Sequence, residues 1–109
     1  MKSIKKTNIT SPLPKETYEK NARLYKILAN PKRLEILNIL KQNDTSVEKL
    51  LTLTKLPKAN LSQHMAVMRH CGLVVSHRKG LNITYSIVDP RIVAACGILQ
   101  QLRSLDLVR

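Results

Sequence analysis

The spacing of apolar residues changes once along this chain, and that change constrains the fold more than any other feature. From Lys15 to His70 apolar side chains recur at helical intervals. From Leu73 onward the pattern becomes strand-like, with Leu73-Val74-Val75-Ser76-His77-Arg78 and Asn82-Ile83-Thr84-Tyr85-Ser86-Ile87 rich in β-branched residues on either side of Lys79-Gly80. Two strands around a glycine turn make a hairpin. Asp89-Pro90 then opens a last helix with Ile92, Cys96, Leu99 and Leu102 at near-helical spacing. The expected class is mainly α with one small β-hairpin, in the order α-α-α-α-β-β-α.

The helical part divides at its own punctuation. Tyr18, Ala22, Tyr25 and Ala29 form one stripe, widened by Leu24 and Leu28. Asn30-Pro31 stops that helix and starts another, Asn as the N-cap and Pro at the first helical position. This second helix, about Pro31 to Lys41, carries Leu34, Ile36, Leu37, Ile39 and Leu40 and is expected at the centre of the core. Thr45-Ser46-Val47-Glu48 has capping-box spacing, with Thr45 as the cap, and opens a short third helix with Val47, Leu50, Leu51 and Leu53 available for burial. Leu56-Pro57 is a tight turn. Pro57 can open a fourth helix running to about His70, closed by Gly72 in a left-handed conformation. Leu61, Met65, Met68 and Gly72 share one face of it, leaving Lys58, Asn60, Ser62, Gln63 and Arg69 as its polar remainder. Residues 1–14, with Lys2, Lys5 and Lys6 and no acids, read as a flexible basic arm, either a solvated tail or a backbone-tracking extension. Residues 15–109 read as one folded domain.

Charge narrows the partner. Nineteen Lys and Arg against seven Asp and Glu give a formal charge of +12, which points to a polyanion. Phe and Trp are absent, so there is little on which to stack the bases of single strands or RNA loops. Duplex DNA is the leading partner. No apolar run approaches the ~20 residues of a membrane span, and no secretory signal is expected. Cys71 and Cys96 cannot form a disulfide framework and suit a reducing cytoplasm. No phosphate loop, His-Glu-x-x-His or Cys-x-x-Cys occurs, and the acids are scattered, so the chain reads as a non-enzyme with no cofactor or metal.

A short helix, a tight turn and a second helix with a polar outer face make a helix-turn-helix, and a basic hairpin after it adds a wing. Burying Leu61, Met65 and Met68 frees the N-terminal polar side of the fourth helix for the major groove. There Gln and Asn suit adenine, Lys and Arg suit guanine, and Ser is permissive. Arg78 and Lys79 on the hairpin would reach an adjacent backbone or minor groove. Ser62 and Gln63 also have the reading of a merely solvated face, and His64 that of a packing histidine.

Leu28-Ala29-Asn30-Pro31-Lys32-Arg33-Leu34-Glu35-Ile36-Leu37 resembles a characteristic segment of the ArsR/SmtB family of winged-helix repressors. The stretch from Leu61 through Ser62-Gln63-His64 and Met68-Arg69 to Leu73-Val74 resembles that family's recognition helix and its exit, and Arg78-Lys79-Gly80 with Ile83–Ile87 resembles its wing. The resemblance covers about Tyr18 to Leu105. It implies a cytoplasmic homodimer, joined through the first and last helices, that binds a palindromic operator and leaves it when a signal, an inducer of unknown identity, arrives. It places operator contacts on Lys58, Ala59, Ser62 and Gln63, with Asn60 and His64 beside them. Lys32 and Arg33 at the start of the second helix, Arg69, Arg78 and Lys79 would grip the DNA backbone.

The family's usual sensing sites are missing. Ser46 and Glu48 stand where a third-helix thiolate site has cysteines. Of the last-helix zinc set only Asp89 remains, with Arg91, Leu102 and Leu105 at the other positions, and Asp89 is better explained as a helix cap. The chain is most similar to a branch of sulfur-responsive and virulence-associated regulators, but Asn38 occupies the second-helix position of that branch's cysteine pair. Cys71 matches one of two cysteines of a cadmium- and lead-sensing branch, its companion position being Val67. Cys96 reads as a small packed hydrophobe and Cys71 as more accessible. His64, Met68 and Cys71 lie on one face, an arrangement that could suit a soft ion such as Cu(I). Three functions stay open: a sequence-specific repressor, a thiol-switched sensor acting through Cys71, and a basic module without sequence preference.

Overall fold

The computed structural model describes residues 8–105. The expected arm residues Lys2, Lys5 and Lys6, and the last four residues of the expected domain, lie outside that range. Among the described residues, five α-helices and three short strands follow in the order α1 (Lys15–Leu28), α2 (Pro31–Gln42), β1 (Thr45–Ser46), α3 (Val47–Thr54), α4 (Lys58–His70), β2 (Val74–Lys79), β3 (Asn82–Ile87) and α5 (Ala94–Ser104). A 3-10 turn, Pro90–Val93, leads into α5.

The core forms where α2 crosses the sheet and the other helices close over it. Ile36, Leu37 and Leu40 of α2 are buried together with Leu50 of α3, Leu61, Met65 and Met68 of α4, and Leu73, Val74, Tyr85 and Val93. Fully burying an aliphatic side chain of this size contributes about 1.5–3 kcal/mol, so the apolar faces of α2 and α4 hold the domain together without Phe or Trp. Asn30 caps α2 as expected, its Oδ1 accepting from the N–H groups of Lys32 and Arg33 at 3.0 and 3.1 Å.

Local chemistry departs from expectation in four places. The sheet has three strands in the order β1-β3-β2, because Thr45 and Ser46 pair with Tyr85 and Thr84. That pairing takes Thr45 into the ladder, where its hydroxyl donates to the Asn43 carbonyl, and the cap of α3 moves to Ser46, whose Oγ accepts from Lys49 N–H at 3.1 Å. On α1, Tyr18 and Tyr25 stay 43% and 65% exposed, while Leu24, Ile27 and Leu28 make the contact with the core. The tyrosine stripe therefore faces away from this chain's core. Lys79 ends β2 instead of sitting in the turn, which is Gly80-Leu81. On the last helix, Asp89 caps the 3-10 turn by accepting from Arg91 N–H, and α5 proper begins only at Ala94.

Candidate nucleic-acid interface

Four residues aim α4. Thr54, which closes α3, is 1% exposed, and its hydroxyl donates to the Leu50 carbonyl at 2.7 Å. Lys55 follows at φ 58, a left-handed conformation uncommon without glycine. Leu56 tucks against the core, and Pro57, with extended backbone, precedes the first residue of α4. The turn between α3 and α4 is thus Lys55-Leu56-Pro57, a helix-turn-helix connection of expected length. No sequence signal marks Lys55 as left-handed, so Leu56-Pro57 announces the turn while the residue that bends it stays hidden in the sequence.

On α4 the two faces separate. Leu61, Met65 and Met68 are 0–1% exposed, while Lys58, Ala59, Asn60, Ser62, Gln63 and Arg69 all face solvent. No acidic residue lies in the first turn, and no side chain caps its free N–H groups, so the positive end of the helix is unmasked. The C-terminus is closed by a Schellman arrangement: Leu73 N–H donates to the Met68 carbonyl and Gly72 N–H to that of Arg69, with Gly72 at φ +77.

His64 is half-buried beside this exposed row. Its Nδ1 accepts from Arg33 Nε–H at 3.1 Å, which puts the proton of the neutral ring on Nε2. Partial burial, and then the neighbouring guanidinium, pull its pKa below 6.5, so the ring is neutral at physiological pH. Arg33 also donates from Nη1 to the Ile27 carbonyl, and Lys32 Nζ donates to the Thr54 carbonyl at 2.9 Å and to Glu35 at 3.2 Å. Both cations at the start of α2, expected as backbone grips, thus have their heads engaged within the chain. They join α2 to the ends of α1 and α3 and to α4.

The wing is a regular antiparallel ribbon from Val74↔Ile87 to Lys79↔Asn82. Directly paired residues share a face and successive residues alternate. Arg78 therefore lies on the face of Ile83 and Tyr85, and Lys79 on the opposite face with His77 and Thr84. Both are exposed.

The two thiols have different surroundings. Cys71 is exposed at the end of α4. Cys96 packs against the core with its Sγ 3.5 Å from Asn38 Nδ2, whose amide also donates to the Leu34 carbonyl. The second-helix and last-helix positions are thus adjacent, with an amide where the related pair has a thiol. Among the described residues no group of three or more His, Cys, Asp or Glu is placed to hold a metal ion. Asp89, the one survivor of the zinc set, is held to about 2 by its hydrogen bonds from the Arg91 side chain and backbone.

Residues 30–76, which span α2 through the start of the wing, match the family described as bacterial regulatory protein, arsR family. The transcriptional repressor PagR of Bacillus anthracis is 37% identical over 87 residues, covering 78% of this chain and 86% of PagR. The chain belongs to the arsR family. It is a DNA-binding transcriptional regulator with a winged helix-turn-helix, and the family works by binding, not by catalysis. The transcriptional activator HlyU of Vibrio cholerae is 32% identical over 96 residues, covering 84% of this chain and 89% of HlyU; its solved structure superposes with a TM-score of 0.71. The homodimeric winged helix-turn-helix domain of Mb0332 from Mycobacterium bovis, solved by NMR, gives a TM-score of 0.73 at 25% identity, covering 89% of this chain and 95% of that domain. No helix among the described residues is long and apolar enough to cross a membrane.

Proposed function

We propose that this arsR-family protein is a homodimeric repressor that occupies a palindromic duplex operator in the cytoplasm. The observation that carries the reading is the division of α4: three side chains seal it into the core while Lys58, Ala59, Asn60, Ser62 and Gln63 stand exposed at an unmasked helix N-terminus. Ser62 and Gln63 read base edges, Asn60 and the Nε2–H of His64 assist, and Ala59 offers a methyl to thymine. Lys58, Arg69, Arg78 and Lys79 hold phosphates. Lys32 and Arg33 act indirectly, by keeping α4 in place.

Dimerisation through α1 and α5 is supported by the apolar side chains left open on those helices and just past the end of α5: Tyr18, Tyr25, Ile98, Leu99 and Leu105 are 43–65% exposed. The homodimeric state of the Mb0332 domain supports a dimer. Two copies would present two α4 helices to half-sites about one helical turn (~34 Å) or a multiple apart. Repression needs only occupancy of a promoter, and PagR is named a repressor.

The test is selection of duplexes from a random library by the full chain, followed by binding at ~150 mM salt, where non-specific affinity fades. Enrichment of a palindrome bound by a dimer supports the reading, and binding no tighter than to scrambled DNA overturns it in favour of a basic module without specificity. Transcription in vitro from a promoter bearing the palindrome gives the direction of control; activation, as HlyU's name would suggest, overturns repression. The exposure of Cys71 at the end of α4 favours one further reading, a thiol-switched operator affinity. It fails if Cys71→Ser responds to oxidant and to Cd(II) as the native protein does.

A further inference from the structure

The tip of the wing carries a residue that the electrostatic account leaves unused. The register Lys79↔Asn82 leaves Gly80 and Leu81 as a two-residue loop. Gly80 lies at φ +63, while Leu81 is not among the residues of positive φ, the pattern of a type II′ turn. That turn requires glycine at its first position and leaves the second open to many residues. Here it holds Leu81, 94% exposed.

A lone exposed leucine is ordinary on a protein surface. Leu81 differs in what surrounds it. The ribbon from Val74 to Val88 contains no Asp or Glu, and the two cations nearest the apex, Arg78 and Lys79, project to opposite faces of it. The tip is therefore an apolar point with a positive charge on each side. The minor groove of B-DNA is about 6 Å wide and walled by two phosphate strands, so a ribbon entering tip-first can set one cation toward each wall and its apex toward the base pairs.

We propose that Leu81 is an apolar wedge, pressed between base pairs in the minor groove beside the bases that α4 reads. The proposal rests on the duplex-binding reading above. Leucine wedges of this kind partly unstack one base step and kink the duplex. Pyrimidine–purine steps such as TA and CA kink most readily, and A-tracts resist. Leu81 is then a specificity determinant that makes no hydrogen bond: it selects a flexible step at a fixed distance from each half-site.

The experiment uses the full chain and the duplex that the native protein itself enriches from a random library. Affinity is measured across a salt series and bending by circular-permutation electrophoresis, for the native protein, Leu81→Ser, Leu81→Met and Lys79→Gln. Leu81→Ser is expected to bind about tenfold more weakly with an unchanged salt slope, since no phosphate contact is lost, and to bend the duplex less. Leu81→Met is expected to keep both affinity and bend, and Lys79→Gln to lower the salt slope. Replacing the flexible step by AA should weaken the native protein and leave Leu81→Ser nearly unaffected. If Leu81→Ser binds and bends the enriched duplex as the native protein does, the wedge is overturned and the repressor reading stands. If the native protein enriches no duplex, both are overturned.

Discussion

Arg33 Nε–H donates to His64 Nδ1 across 3.1 Å, while Nη1 of the same guanidinium reaches the Ile27 carbonyl at 3.2 Å. One side chain at the start of α2 thereby ties the end of α1 to the middle of the recognition helix. Replacing Arg33 by Ala removes both bonds and leaves a half-buried imidazole acceptor without its donor, at an expected cost of about 1–3 kcal/mol. Urea denaturation measures this directly, and a midpoint unmoved from the native one would show that the bridge is idle. Arg33→Lys should recover little, since an ammonium cannot span both acceptors.

The same pair sets a pH dependence. Burial and then Arg33 lower the His64 pKa below the 6.5 of a free imidazole, so the folded state disfavours the protonated ring. As pH falls through 6.5 the unfolded chain takes up this proton before the folded one does, and stability declines until the folded pKa is also passed. Above 6.5 both states hold the neutral ring and His64 adds no pH dependence. Thermal melts from pH 8 to pH 5 on the native protein and on His64→Gln should separate in that lower window alone. Parallel curves throughout would exclude His64 as the source.

Much of this architecture was legible in the residues, for identifiable reasons. Asn30-Pro31 marks a helix start because cap and ring each satisfy a distinct backbone need, and Gly72 marks a helix end because only glycine takes φ +77 without strain. Leu61, Met65 and Met68 follow from spacing alone. What stayed hidden depends on partners distant in sequence. Thr45 looks as good a cap as Ser46 until β3 recruits it, and a two-residue strand has no periodicity to read. Lys32 and Arg33 look like free cations until Thr54 and His64 come within 3.1 Å of them. The exposed row on α4 was legible as the residue set left over once its apolar face is buried. Which members would touch bases is an expectation that only the resemblance supplies.

The two cysteines should differ sharply toward a thiol reagent. Cys71 is exposed, whereas Cys96 packs against the core beside the Asn38 amide. With Ellman's reagent under native conditions, Cys71 should react at the rate of a free thiol and Cys96 at least roughly tenfold more slowly, because it waits on local opening. The single-thiol variants Cys71→Ser and Cys96→Ser assign the two phases. Equal rates would place Cys96 in the open instead of against the core.

Gly72→Ala isolates a purely conformational cost. A Cβ at this position meets nothing within 4 Å, so no clash contributes, but φ is +77. Forcing alanine into that left-handed region should destabilise the fold by about 1–2 kcal/mol. A domain of this size would lose several degrees of Tm, on the order of 4–8 °C per kcal/mol. An unchanged Tm would mean that the Schellman closure relaxes without loss.

Gln63 and Lys58 test the proposed division between reading and gripping on the same helix. Both are exposed, and neither lies on the buried face of Leu61, Met65 and Met68, so substitution of either should leave the oligomeric state and the Tm unchanged. Gln63→Ala should cost about 1–3 kcal/mol on the enriched palindrome and almost nothing on scrambled DNA, with the salt slope intact. Lys58→Gln should weaken both duplexes alike and reduce the slope of log K against log salt by roughly one per protomer. The contrast between the two variants is the measurement, because a general loosening of α4 would move affinity, slope and Tm together. If Gln63→Ala lowers Tm instead of sequence preference, the residue supports the helix, and base readout must fall to Ser62 and Asn60.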